Sequence, residues 1–465
     1  MVQSQRAFSS TGKAILAGGY LVLFPEYKAY VVALSSRMHA LTNVTDLENQ
    51  IGIVKITVDS PQFVNGSWSY EIDVSEIENQ GLSFQLKEIN GRRNPFVEAT
   101  IVTVLSYAIG VDSINSRYVG KNIEIKIFSD AEYHSKDESE EKSSANGAYK
   151  FLYHSKEITE VNKTGLGSSA GLVTSLTAAI LSTLFSSFTI NNEWKSKVHN
   201  IAQVAHCKAQ GKIGSGFDVA SATFGSIVYQ RFEASLINKV FESSIADLVH
   251  LIDKENWNMV NDQCSLPKGI RLLMGDIKGG SETPKMVSKV MEWKNKNPER
   301  ASEVWTKLNN SNMKLIDSLQ RLDEFSQRES DKYDQLTKYV SKMNASEIAL
   351  LTKENLYFAQ IAQSIQCIRE CLQIMTEETG ASIEPESQTK LIDSVSAITG
   401  VLGGVVPGAG GYDAICMLVF SSEVENIIKE TSKSDNPILG NVRWMDLTEQ
   451  RDGLIEENYS DFNGF

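Results

Sequence analysis

Cysteine is scarce in this chain of 465 residues: there are five, at Cys207, Cys264, Cys367, Cys371 and Cys416. The odd number and the irregular spacing exclude a disulfide-stapled secreted domain and point to reduced thiols. Cys367 and Cys371 stand four apart in a helical pattern, but two thiols alone make an incomplete zinc site and read as one buried helix face. Basic charge is also short, with 45 Lys and Arg against 58 Asp and Glu, a net charge of −13. That excludes a general nucleic-acid binder. It also means that an anionic ligand needs a local positive pocket. Nine prolines beside 31 glycines leave no disordered tract. Long hydrophobic runs are missing with one exception, the uncharged stretch from Thr164 to Ile190. It is long enough to span a bilayer, yet glycines break it and serines and threonines stud it, so a buried core helix is expected and no membrane span. The beginning shows no basic region followed by an apolar one, and the final Phe-Asn-Gly-Phe is no lipidation or peroxisomal signal. A cytoplasmic protein is expected.

What remains is an ordinary globular enzyme composition, 42% apolar and 22% charged, long enough for two or three domains. Its most informative segment is Lys163-Thr164-Gly165-Leu166-Gly167-Ser168-Ser169-Ala170-Gly171, a glycine- and serine-rich turn running into an apolar helical pattern (Leu172, Val173, Leu176, Ala179, Ile180). Glycines let backbone approach a ligand closely. The first turn of a helix offers unpaired N–H groups and the positive end of its dipole. The two together form a phosphate cradle. Ser168 and Ser169 add hydroxyls for phosphate oxygens or a magnesium ion, and Lys163 a positive charge. In the common P-loop a Gly-Lys-Ser/Thr follows the glycines. Here the lysine comes first, so a nucleotide-hydrolase fold does not follow.

Elsewhere, residues 6–40 read as strand, turn and strand around Ala17-Gly18-Gly19-Tyr20, and 51–58 with 67–73 as a hairpin. A helix is expected from Pro95 to Ile109, and a strand through Ile123, Ile125 and Ile127. The charged segment 132–150 reads as a surface loop. A strand near 151–161 precedes the Gly-Ser turn, and a helix over 195–210 follows its helix. Long helical patterns fill 284–380. Strands are expected at 270–275, 413–420 and 441–446, with a helix at 387–399. The mixed order argues for α+β. Further glycine-containing segments are Ser10-Thr11-Gly12-Lys13-Ala14, Gly214-Ser215-Gly216-Phe217-Asp218 and Pro407-Gly408-Ala409-Gly410-Gly411. His206, on an apolar helix face, is expected to be a satisfied core histidine. Tyr133 and His134 could flank a nucleotide.

Ser10–Leu16, Lys163–Gly171 and Pro407–Asp413 together resemble, in order, the three motifs of the galactokinase, homoserine kinase, mevalonate kinase and phosphomevalonate kinase (GHMP) superfamily. The segments Lys13–Leu23, Ala205–Ala220 and Gly275–Lys278 are most similar to its fungal phosphomevalonate kinase branch. The resemblance implies an N-terminal α/β domain with a left-handed crossover, expected over 1–235, and a ferredoxin-like C-terminal domain over 236–465. ATP and a phosphorylated acceptor, 5-phosphomevalonate, would meet between them, with Mg2+ as the cation and the protein a monomer or homodimer. It also implies roles. Gly165, Leu166, Gly167, Ser168, Ser169, Ala170 and Gly171 would wrap the ATP phosphates beside Lys163. Either Ser168 or Ser169 would ligate magnesium. Asp218 would take the acceptor's proton or orient and polarise it, and Lys13 would offset the charge around the transferring phosphate. Gly408, Ala409, Gly410 and Gly411, with Ser281 and Thr283, would face the acceptor. Arg92, Arg93, Lys212 and Lys278 are candidates for its phosphate. Relatives such as mevalonate kinase carry a magnesium-binding glutamate eleven residues before the aspartate. Here that position is Cys207, no hard oxygen ligand, and the usual Gly-Glu of the first motif is Gly18-Gly19. The rival readings are a kinase for another acceptor, such as mevalonate, and a silent sensor of ATP.

Overall fold

The computed structural model describes residues 5–47, 52–111, 120–242, 244–277, 283–432 and 439–465. An eight-stranded sheet forms the first lobe. Its centre is the 19-residue strand Lys28–Asp46, which pairs antiparallel with Gln5–Ala17 on one side and Lys121–Ser129 on the other. Ile53–Asp59 lies parallel to Lys121–Ser129 and forms a hairpin with Ser67–Asp73. In the strand Lys121–Ser129 the alternation is clean: Ile123, Ile125 and Ile127 are buried while Glu124 and Lys126 face out. The uncharged stretch becomes the helix Ser168–Leu184, buried on every side from Val173 onward. It lies under the sheet and against the helices Pro95–Val111 and Asn192–Gln210. No described helix is long and apolar enough to cross a membrane.

The sheet reaches well past residue 235. Val260–Gln263 joins it beside Ile227–Gln230, and Ile455–Glu457 returns to pair with Gln5–Ala17. The second lobe carries a four-stranded antiparallel sheet in the order Val401–Val405, Ala414–Phe420, Ile270–Ile277, Val442–Trp444. Pro298–Arg328 and Leu356–Thr379 are its long packed helices. One apolar core runs through both lobes, joining Leu16, Tyr20 and Leu21 to Leu308, Leu315 and Leu372.

Two expectations need correction. The charged segment 132–150 is not all loop: Ser139–Ser143 pairs with Lys150–His154 as a hairpin. The first of these strands is charged and largely exposed, so no apolar alternation betrays it, while Phe151 and Leu152 of the second are buried. The strand expected at 151–161 ends at His154. Gly403 and Gly404, just ahead of the third glycine motif, lie within the buried strand Val401–Val405. A Cβ on Gly404 would stand 2.2 Å from the Met417 sulfur, so the glycine permits close strand packing.

The returning C-terminal segment is held by a buried charge cluster. His39, 1% exposed, meets Glu457 through Nδ1 (2.8 Å) and Asp130 through Nε2 (3.2 Å). Burial alone would lower its pKa, but the two carboxylates outweigh burial and raise it to about 9. For Glu457 burial would raise the pKa, yet His39, Arg37 and Tyr149 hold it below the usual value. The histidine's contribution is therefore complete below its unfolded pKa of about 6.5 and lost as pH rises through about 9. The glutamate's contribution is present above its ordinary pKa and lost as pH falls through its lowered one. A shift of this size corresponds to roughly 3 kcal/mol. His39→Ala should cost about that much in urea unfolding at pH 7 and flatten the fall in stability between about pH 6.5 and 9. An unchanged pH profile would show that the cluster carries no such linkage.

Candidate active site

The strand Gln5–Ala17 is bonded to both helices that frame the site. Ser10 Oγ donates to the Gly171 carbonyl (2.9 Å) in the first turn of Ser168–Leu184. Thr11 Oγ1 donates to the Ser221 carbonyl (3.2 Å) of Phe217–Phe224. A register shift between Thr11 and Gly12 then turns the strand. Lys13 Nζ arrives at the Gly165 carbonyl (2.8 Å), 5.4 Å from the Phe217 ring centroid. Its backbone N–H donates to the Leu166 carbonyl (3.1 Å). The first motif is thus bonded directly to the second.

Gly165 and Gly167 both have left-handed φ, +78° and +86°. A side chain on Gly167 would crowd Lys13 Cε at 3.2 Å and approach Asp218 Cβ at 3.8 Å. Gly167 caps the helix without any side-chain hydrogen bond, so the first N–H groups remain available to a ligand. Asp218 lies in the first turn of Phe217–Phe224, behind Gly216 (φ +81°), where its carboxylate faces the positive end of a second helix dipole. Gly216 admits no side chain either: a Cβ would lie 2.8–2.9 Å from Phe232, Gln203 and Tyr229. Tyr229 and Arg231 support the preceding turn, donating to the carbonyls of Ser215 (2.8 Å) and Gly214 (2.7 Å). Burial lowers the pKa of the Lys13 amine, and the nearby charge of Asp218 opposes the shift.

Two cavities meet at the Gly-Ser loop. One, of about 440 Å³, is walled by Phe63, Trp68, Phe96 and Leu172 and reaches Lys163, Ser168 and Ser169. The other, of about 600 Å³, holds Lys13, Asp218, Gly165 and Gly167 and is closed by Pro407–Gly410 from the second lobe. The third motif follows the strand Val401–Val405. Gly408, Gly410 and Gly411 have φ of +71°, +89° and +113°, and a Cβ on Gly410 would stand 2.1 Å from the Ile383 carbonyl oxygen. Tyr20 ties this loop to the first lobe by donating to the Ala409 carbonyl (2.7 Å).

Of the residues expected at the site, Lys13, Gly165, Gly167, Asp218 and Gly408–Gly410 line the larger cavity, while Lys163, Ser168 and Ser169 line the smaller. Leu166 and Ala170 point into the core, 1% exposed, and contribute backbone only. Ser281 and Lys278 lie outside the described residues, and Thr283 enters only as the first residue of the helix Thr283–Lys296. Arg92 and Arg93 border the smaller cavity, the latter paired with Glu88 and Glu98. Lys212 borders the larger. Tyr133 is buried with its hydroxyl toward the Ser36 carbonyl (3.4 Å). His134 reaches the wall of the smaller cavity, and burial, with His154 and Lys163 beside it, lowers its pKa to about 3. His206, expected to be a satisfied core histidine, is buried, but its partner is Ser169 of the phosphate loop, at 3.1 Å.

Among the described residues no group of three or more His, Cys, Asp and Glu could form a metal cage. Cys207 is 1% exposed and receives the Gln203 amide at 3.2 Å. Hydroxyls and one carboxylate beside an open phosphate cradle suit a hard cation that arrives with its nucleotide and keeps its waters.

A cleft with a phosphate-binding helix start, a lysine and a carboxylate between two lobes defines a small-molecule kinase of the GHMP type. The family model for the GHMP kinases N terminal domain matches residues 136–226. The fold agrees with that of Streptococcus pneumoniae phosphomevalonate kinase in complex with phosphomevalonate and AMPPNP. That structure has a TM-score of 0.60 at 16% identity, over 96% of this chain and 99% of the other. The Candida albicans phosphomevalonate kinase is 45% identical over 99% of both chains, and the Arabidopsis thaliana protein "Phosphomevalonate kinase, peroxisomal" is 31% identical over 88% of both. The chain belongs to the phosphomevalonate kinase family.

Proposed function

We infer that the protein transfers the γ-phosphoryl group of ATP to the phosphate of 5-phosphomevalonate, releasing ADP and 5-diphosphomevalonate. The observation that carries this reading is the convergence of Lys13 and Asp218 with the Gly-Ser loop where the two cavities join. The smaller, aromatic-walled cavity suits the nucleoside, with its phosphates on the N–H groups after Gly167. The larger suits the acceptor, with Lys212 on its wall. An oxygen of the acceptor phosphate attacks the γ-phosphorus in line, and the bond to ADP breaks.

Bringing two phosphates together is the difficulty. Lys13 and the two helix dipoles lower that repulsion where the charge gathers. A phosphate monoester has its second pKa near 6, so at neutral pH most of the acceptor carries no proton for a base to remove. Asp218 then serves chiefly to orient the acceptor and to keep Lys13 charged. The ion would be Mg2+, held by Ser168 or Ser169 as protein ligand, and it would supply further charge neutralisation on the phosphates.

The test is a panel of acceptors assayed by ADP release. 5-Phosphomevalonate should exceed mevalonate by about 10³-fold in kcat/KM, since a site built for a phosphate is left unpaired without it. Equal turnover of both would favour a broader kinase. ATP binding with no turnover of any acceptor would favour a sensor.

A further inference from the structure

We propose that His206 is a positioning residue for the phosphate loop: it accepts the hydrogen bond of the Ser169 hydroxyl and so turns that oxygen's lone pairs toward the cation that arrives with the nucleotide's phosphates. The proposal rests on the site being a kinase centre.

The hydrogen-bond inventory supports it. His206 Nε2 lies 3.1 Å from Ser169 Oγ and 3.3 Å from the amide nitrogen of Gln210. With the Gln210 amide presenting its NH2, this ring nitrogen is the accepting one, and its single lone pair is shared between the amide and the hydroxyl. The serine hydroxyl beside it is then a donor too. A hydroxyl has one proton and two lone pairs. With the proton committed to His206, Ser169 offers only lone pairs to whatever binds. A bound cation can use them, whereas a bare phosphate oxygen cannot. Ser168, one residue earlier, has no side-chain partner among the described residues and keeps its proton for a phosphate oxygen. The two adjacent serines therefore differ in kind, although the sequence presents them as equals.

Position supports the same reading. His206 is 3% exposed and its ring is held by Phe96, at 5.7 Å and 37°. Ser169 lines the smaller cavity and His206 the larger, so their bond sits at the junction through which a phosphoryl group would pass. The neighbouring Cys207 offers nothing there, being turned into the core against Gln203.

The experiment is calorimetric ADP binding, with and without Mg2+, for the wild type, His206→Leu, His206→Gln, Ser169→Ala and the doubles. His206→Leu removes the acceptor. It should weaken ADP binding in the presence of Mg2+ about tenfold, the worth of one hydrogen bond, while leaving metal-free ADP within about twofold. His206→Gln places an amide oxygen at similar reach and should recover most of the loss. Ser169→Ala/His206→Leu should bind no worse than Ser169→Ala alone, because the histidine acts through that hydroxyl. Equal weakening with and without Mg2+, or full additivity in the double variant, would overturn the proposal and leave His206 as a wall. Should His206→Leu fail to fold, His206→Gln on the Ser169→Ala background carries the test: it must be silent, and a further loss refutes the proposal. Absence of phosphotransfer by the wild type would defeat the kinase reading instead, a separate result.

Discussion

Replacing Lys13 with methionine should lower kcat about 10³-fold, close to 4 kcal/mol of barrier, and leave the fold in place. Methionine keeps most of the side-chain stem that lies beside Gly167 but removes the charge and its place over the Phe217 ring. The bond from Nζ to the Gly165 carbonyl is lost as well, but the backbone bond from Lys13 to Leu166 remains to hold the loop. Circular dichroism and the unfolding midpoint should therefore stay close to those of the wild type. Arginine should rescue poorly, because the glycine loop fits closely around a slender amine. Turnover near that of the wild type in Lys13→Met would remove Lys13 from the mechanism.

Asp218→Asn should cut kcat about 10²-fold while KM for ATP changes by no more than about threefold. Asparagine is as acceptable as aspartate near a helix start, so stability should hardly move. Its distinguishing effect is on pH. Asp218 supports the charge on Lys13 against burial. Without it the lysine should lose its proton at lower pH, and the alkaline limb of the kcat profile should move down. If Asp218 were instead an obligatory base, the acidic limb would vanish and the alkaline limb would stay. Equal loss of kcat and ATP affinity would mark it as a structural residue.

The distinction follows from packing that could be read only in part from the chain. Lys13, the Gly-Ser turn and Asp218 were legible because each sits beside glycines whose backbone needs are local: Gly165, Gly167 and Gly216 all adopt positive φ. That they meet in one cleft was expected from their resemblance to known motifs, and the structure sets them around two adjoining cavities. The partnership of His206 with Ser169 was not legible. The residues are 37 apart, and the contact depends on how two helices lie against each other. His39 was equally silent, since its partner Glu457 is 418 residues away and returns on the last strand. The strand Ser139–Ser143, partner of Lys150–His154, escaped because a charged, exposed strand gives no period-two signal. It gains instead from cross-strand contacts such as Lys142 over the Tyr153 ring (4.2 Å). The site's residue types were thus written locally, and their supports were written in long-range packing.

The most direct measurement is phosphorus NMR of the wild-type protein incubated with ATP, Mg2+ and 5-phosphomevalonate. The monoester resonance of the acceptor should give way to a pair of coupled diphosphate resonances, matching ADP mole for mole. Release of ADP with free inorganic phosphate and an unchanged monoester would contradict phosphoryl transfer to the acceptor in this cleft.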